Sequence, residues 1–449
     1  MAPPSRAHSA LVELREDLVG DVFVPRDPGY DEARTVFNGM VDRRPAVIAQ
    51  CVDEADVVRA VRFGRELDLK VAVRGGGHGV AGSAVADAAL VVDLRRMNGV
   101  AVDPVAEAVR VQGGAVMSRL DRAAQAYGLA TTGSRDSATG VCGFVLGGGS
   151  GWLERAFGAA VDNLVGVELV TADGERVHAD ADADPELFWA LHGGGGNFGV
   201  VTALTLRLHD LPVFSAALLR YPAASGPDAV RAFREMIRTG PDQVGGAVLR
   251  TAAEGSPEYT VLVTHVGGEE GLRRAAGPLL ALPHGAELAG PLPYGEVQGL
   301  LDLPGGLRNH WSAECLADLP DAAVDAWCGR VDPPVPAGSR DVLFPLGGAV
   351  ASGPAEYPLA YRNAAWVVHP LGCWADPGDD ERVIAWVRAV RAGVRPWSTG
   401  AVCLNLVGDE GPDRVRAGLG VGNALRLGKV KRRWDPDNVF RFNHNIRPL

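Results

Sequence analysis

The chain has 449 residues, 47% hydrophobic and 22% charged, with a formal net charge of −11 and a pI near 5.4. Such a chain buries a sizeable core in two or three domains. Its acidic balance argues against a nucleic-acid backbone as partner, and no run of about 18 apolar residues is present to span a membrane.

The six cysteines, Cys51, Cys142, Cys315, Cys328, Cys373 and Cys403, form no C-x-x-C pair, so neither a zinc site nor a disulfide framework is indicated. The N-terminal stretch has no continuous apolar h-region. A cytoplasmic protein with reduced thiols is the expectation.

The chain opens as alternating strands and helices. Residues 45–49 read as a strand, and Asp53 caps a helix whose apolar face is Val57, Val58, Val61 and Leu67. Residues 70–73 form the next strand and lead straight into a run of glycines. Strands at 90–93 and 108–111 follow, then a helix over about 116–127. The stretch 165–171 reads as a strand ending in the turn 172–174. Asp184-Pro185 starts a helix as N-cap and first helical residue. Residues 200–208 alternate as a half-buried strand does.

Residues 211–400 have a different texture, richer in Pro and Trp, and suggest an antiparallel sheet covered by helices. Near the end, 426–434 reads as a basic helix stopped by the turn 435–438. Its cluster Lys429, Lys431, Arg432 and Arg433 reads as a solvated face.

The 58 glycines gather in runs at 75–77, 147–149 and 193–196. In Val73-Arg-Gly-Gly-Gly-His-Gly-Val80, a strand delivers unobstructed backbone N–H groups that can converge on a pyrophosphate, followed by one histidine. In Gly140–Trp152, glycines permit close packing of backbone on a flat ring system. Gly194, Gly196 and Gly199 match G-x-G-x-x-G formally. Here, however, helix precedes loop and strand follows, the reverse of the dinucleotide fingerprint.

Together these segments resemble the FAD-linked oxidase family that includes berberine bridge enzyme, vanillyl-alcohol oxidase and hexose oxidases. The resemblance rests on Arg74–His78 with Ala81-Gly82, on Leu146–Gly151 with Phe157-Gly158 and Asp162–Leu164, on Phe188–Val201, and on Trp434–Phe440 with Asn443–Ile446. It implies an α+β fold in which 1–210 and 405–449 form the FAD-binding part and 211–404 the substrate-binding part. It also implies an FAD-dependent oxidoreductase whose flavin is bonded to His78. A neutral imidazole is a suitable nucleophile near pH 7. The resemblance assigns FAD contacts to Arg74, Gly75, Gly76, Gly77, His78, Gly79, Gly82, Thr139, Gly140, Gly143, Gly147, Gly148, Gly149, Asn197, Gly199, Val200, Asn443 and Asn445.

The chain departs from the family pattern twice. Many relatives have a second flavin link, from a cysteine eleven residues before the second glycine run. That position is Asp136 here, and Cys142 is out of register, so a single link is expected. Relatives also carry Tyr-x-Asn near the C-terminus, where the tyrosine deprotonates a substrate hydroxyl. The matching triplet is Cys403-Leu404-Asn405. Substitute candidates are Tyr361, His369 and Asn405, with Cys403 a base only if its pKa is lowered. Thr139 stands where some singly linked relatives hold a threonine near the meeting point of oxygen and flavin.

The implied reaction is oxidation of a small organic substrate, a secondary metabolite or sugar-like alcohol, with dioxygen as final acceptor and hydrogen peroxide as product. The runner-up is an oxygenase that transfers oxygen to its substrate. A flavin-binding protein without turnover is a third possibility. A nicotinamide dehydrogenase lacks its fingerprint.

Overall fold

The computed structural model describes residues 6–253, 256–285 and 287–449. Asp53 does cap the helix Glu54–Glu66, accepting from the Asp56 N–H at 2.9 Å. Val57 and Val61 are fully buried on that helix. It packs beside a four-stranded sheet ordered Asp21–Phe23, Val47–Gln50, Leu90–Asp93, Val71–Arg74. The last two pairings are parallel and the first antiparallel. The fully buried run Leu90–Asp93 is the signature of a parallel strand covered on both faces.

A second, antiparallel sheet of five strands follows, ordered Val100–Asp103, Ala108–Gln112, Val200–Arg207, Leu164–Val170, Arg176–Asp180. The third sheet is the antiparallel one expected for the middle of the chain. Its order is Glu287–Pro291, Phe214–Tyr221, Ser256–Val266, Val244–Ala253, Arg340–Pro345, Trp366–Trp374, Arg308–Trp311, with Glu314–Leu316 also on Trp366–Trp374. Helices Gly226–Thr239, Asp321–Cys328 and Asp380–Val394 cover one face, packing Phe233, Trp327 and Trp386 against Leu343 and Val368. On the other face, Val342, Phe344 and Leu371 join the central core. Strand alternation therefore sends every second residue of these strands toward the first part of the chain. This is the α+β architecture the sequence implies. No helix among the described residues is long and apolar enough to cross a membrane.

Asp184 stands at the N-cap of the helix Pro185–Leu191 with Pro185 opening it, as expected, but it adopts a left-handed conformation, its side chain makes no capping bond, and its carboxylate meets Arg433 at 3.2 Å. Within Gly140–Trp152, Val141–Leu146 is helical. The cluster at 429–433 is not wholly solvated. Lys431, on the helix Ala424–Trp434, is completely buried, and its Nζ donates to Asp435 (2.7 Å), to the Asn197 carbonyl (2.6 Å) and to the Phe440 carbonyl (3.0 Å). The chain end is thereby tied to the third glycine run.

A buried ammonium with three acceptors is costly to remove, because Asp435 would be left buried and uncompensated. Lys431→Met is expected to destabilise the protein by about 3–5 kcal/mol, measured by urea unfolding. A loss under about 1 kcal/mol would show that the pair carries little of the attachment.

Candidate active site

A cavity of about 380 Å³ lies between the glycine runs and the open face of the third sheet. That volume falls in the range of small-molecule and cofactor pockets. Its floor begins where the strand Val71–Arg74 ends. Arg74 turns away from the cavity and donates to the carbonyls of Ala33 (2.6 Å) and Thr35, bracing the loop from behind. The loop then passes over the second glycine segment at backbone distance. A methyl on Gly76 would stand 2.6 Å from the Gly140 nitrogen, and one on Gly140 2.5 Å from the Gly76 nitrogen. Both positions must therefore be glycine.

His78 leaves this crossing into the cavity wall. Phe37 stacks on its ring at 3.9 Å between centroids, and Asp136 Oδ1 approaches Nε2 to 3.2 Å. The two atoms are in contact, though Nε2 has no partner at hydrogen-bonding angle. Burial pushes the Asp136 carboxyl up, but His78 and the N–H groups of Leu303 and Ala138 outweigh it and hold the pKa low. A carboxylate thus stands beside the imidazole edge.

The second segment presents Thr139, Gly140, Cys142, Gly143 and Gly147 to the cavity. Asn405 clamps it, accepting from Gly149 N–H (3.1 Å) and donating to the Phe144 carbonyl (3.2 Å). Gly148 has φ +111°, and a methyl there would stand 2.5 Å from Tyr361 Oη, so only glycine fits. In the third segment, Asn197 donates to the carbonyls of Gly194 (2.7 Å) and His444 (3.1 Å) and accepts from Ile446 N–H (2.9 Å). As the sequence order indicates, a helix precedes this run and a strand follows it.

The roof comes from the third sheet. Arg340, Val342 and Phe344 alternate on one strand, with Leu371 and His369 paired opposite Arg340 and Val342 on the next, and Trp311 beyond Leu371. His369 Nδ1 lies 2.8 Å from the Ser312 carbonyl, a contact only an N–H can make, which leaves Nε2 as the acceptor nitrogen. Burial, aided by the charges of Arg135 and Arg340, pushes its pKa down to about 4. His369 is therefore neutral at pH 7.

The residues proposed from sequence divide into two groups. Gly75, Gly76, Gly77, His78, Gly79, Thr139, Gly140, Gly143, Gly147, Asn197, Gly199, His369, Asn405 and Asn443 line the cavity. Arg74, Gly82, Gly148, Gly149, Val200, Tyr361, Cys403 and Asn445 stand behind that lining. Tyr361 lies under Gly148, its phenol raised well above its ordinary pKa by burial. Cys403 is buried with its sulfur 3.6 Å from that of Cys315, and burial lifts its thiol well above the usual range, so it is no base. Burial pushes the Cys142 thiol to about 12. Arg135, Trp311, Arg340 and the clamp role of Asp136 were not read from sequence. For Asp136 a signal existed: it occupies the register of the relatives' second linking residue.

The cavity fits FAD. The N–H groups of Gly76, Gly77, His78 and Gly79 carry no backbone hydrogen bond among the described residues. Gly79, Gly143, Gly195 and Gly196 face space in which a methyl would meet nothing within 4 Å. Asn443 Oδ1 is buried without a partner. Free donors beside open glycines suit a pyrophosphate and a flat ring.

Fold and site define an FAD-linked oxidoreductase. The family model for the FAD binding domain matches residues 45–180, and that for berberine and berberine-like proteins matches 409–447. (R)-6-hydroxynicotine oxidase of Paenarthrobacter nicotinovorans is 32% identical, over 96% of this chain and 97% of its own. An FAD-linked oxidoreductase of Aspergillus terreus is 34% identical over 96% and 94%. The crystal structure of 6-hydroxy-D-nicotine oxidase from Arthrobacter nicotinovorans superposes with a TM-score of 0.87 at 30% identity, covering 96% of this chain and 98% of that one. The chain belongs to the berberine-bridge-like family of FAD-linked oxidoreductases.

Two neutral histidines make stability pH-dependent. Burial pushes His192 as well as His369 to about 4, whereas the unfolded chain takes up these protons near 6.5. Between those values the unfolded state binds more protons, so stability falls as pH drops from 6.5 to 4, by up to about 3 kcal/mol per histidine. The unfolding temperature is expected to decline over that interval and to decline less in His369→Asn, which keeps a donor for Ser312. An identical pH slope in the variant would show that His369 is not held neutral.

Proposed function

We propose that this chain carries FAD bonded covalently through His78 alone and oxidises a small organic substrate in the cavity beneath the third sheet. The observation carrying this reading is the placement of the His78 imidazole, stacked on Phe37 and edged by the Asp136 carboxylate, inside a pocket floored by open glycines. Held there by the glycine loops, FAD would supply a two-electron acceptor for a substrate hydride that dioxygen could reoxidise, with hydrogen peroxide as the product. Asp136 holds the imidazole edge and leaves the far nitrogen as nucleophile. Cys142, inert and protonated, makes no second bond.

Four candidates, Tyr361, His369, Cys403 and Asn405, were left by the missing tyrosine, and the geometry favours one. Tyr361 and Cys403 stand behind the lining. Asn405 spends its amide on the glycine loop. His369 Nε2 is neutral and able to accept a proton or hydrogen bond from a substrate O–H or N–H. The roof residues Trp311, Val342, Phe344 and Leu371 favour an apolar, ring-containing secondary metabolite over a sugar, whose hydroxyls would go unpaired there. The full-length likeness to a hydroxynicotine oxidase is consistent with that size and character.

Intact mass of the denatured protein should show one added FAD, absent in His78→Ala and retained in Cys142→Ala. Retention in His78→Ala would sink the linkage. With a substrate that bleaches the yellow enzyme, His369→Asn should slow bleaching by about 10²–10⁴-fold, while Cys403→Ala changes it little. Labelled dioxygen should appear in peroxide; label in the organic product would establish oxygenation instead.

A further inference from the structure

The roof holds a cation that the oxidation itself does not use. Arg340 lies in a cross-strand row with Leu371 and Trp311, its side chain in the cavity wall. A guanidinium has five N–H donors in a fork shaped for carboxylate. Here Nη2 donates to the Leu301 carbonyl, while Nε is buried with no acceptor.

Other arginines of this region are neutralised. Arg135 pairs with Glu154 at 2.6 Å, Arg330 with Asp341 at 2.9 Å, and Arg362 with Asp162 at 2.6 Å. Arg340 makes no ion pair among the described residues. The carboxylates acting on it from a distance, Asp136 and Asp302, are already engaged. Asp136 contacts His78 and accepts from Leu303 N–H, and Asp302 accepts from the Ser137 N–H and hydroxyl. Burial lowers the Arg340 pKa more than Cys373, Asp136 and Asp302 raise it, so the charge is only partly compensated. A desolvated, half-bonded guanidinium in a pocket wall is costly unless an occupant supplies the missing acceptor.

We infer that Arg340 is a specificity-determining residue that binds an anionic oxygen of the substrate, so that the enzyme acts on apolar organic acids. The apolar body lies along Trp311, Leu371 and Val342, and the acid group meets the Arg340 fork. This rests on the placement of the substrate beneath the third sheet proposed above.

The test uses the flavin-loaded protein with benzoate and its neutral isostere benzamide as probes, read by flavin absorbance and by tryptophan fluorescence. Wild type is expected to bind benzoate at least tenfold more tightly than benzamide. Arg340→Gln should erase that preference without altering benzamide binding or flavin content, and Arg340→Lys should keep part of it. Equal binding of the two probes, no benzoate binding, or a preference that survives in Arg340→Gln would overturn the inference. Loss of flavin from Arg340→Gln would also overturn it, since the guanidinium would then be holding the cofactor. If Arg340→Gln does not fold, Arg340→Lys decides: a weakened preference supports the inference and an unchanged one overturns it. The FAD mass on wild type is read separately. Its absence would sink the covalent-flavin reading while the probe comparison by fluorescence still stands.

Discussion

Backbone against backbone at Gly76 and Gly140 is the contact on which the site depends. With side chains at either position the two loops could not cross, because each missing methyl would fall within 2.6 Å of the other's nitrogen. The crossing fixes the height at which His78 leaves the first loop and the line along which Thr139 and Gly143 face it. Everything placed around the imidazole, from Phe37 above to Asp136 at its edge, follows from that height.

The third glycine run has no such crossing and is held by polar bonds instead. Asn197 uses both ends of its amide, and its carbonyl receives the buried ammonium of Lys431. One cation thereby joins the C-terminal helix, the turn at Asp435 and the cavity floor. Interior charge is tolerated here because each N–H of the ammonium has its acceptor. The same principle gives Arg340 its meaning, as the guanidinium for which the protein supplies too few.

Division of labour within the third sheet follows from pleating. Leu343 and Val368 go to the helices while Arg340, Val342, Phe344, His369 and Leu371 go to the cavity. A shift of register by one residue would exchange the two sets, turning Leu343 and Val368 into the site and an arginine and a histidine into the core. Two links to the first part of the chain hold the roof in register: Asn38 bonds to Asn309, and Arg155 to the carbonyls of Val244 and Leu346.

From sequence alone, the glycine runs, the strand that feeds His78 and the reversed order around Gly194–Gly199 were legible. Each is a local matter of which residues permit which backbone, and each motif is contiguous. The missing tyrosine at Cys403 was also legible, but its consequence was not. Whether Tyr361, His369 or Asn405 faces the cavity depends on how segments far along the chain from the glycine loops pack against them, and no local pattern encodes that packing. Lys431 shows the same limit. Among the four basic residues at 429–433, helical periodicity leaves the buried one undetermined until the partners, Asn197 and Phe440, arrive from elsewhere in the chain. Sequence by itself pointed to FAD as the cofactor, because the motifs that carry the family resemblance are contiguous loops. The tertiary structure decided which side chains surround the substrate, because burial and charge compensation are properties of the packed chain.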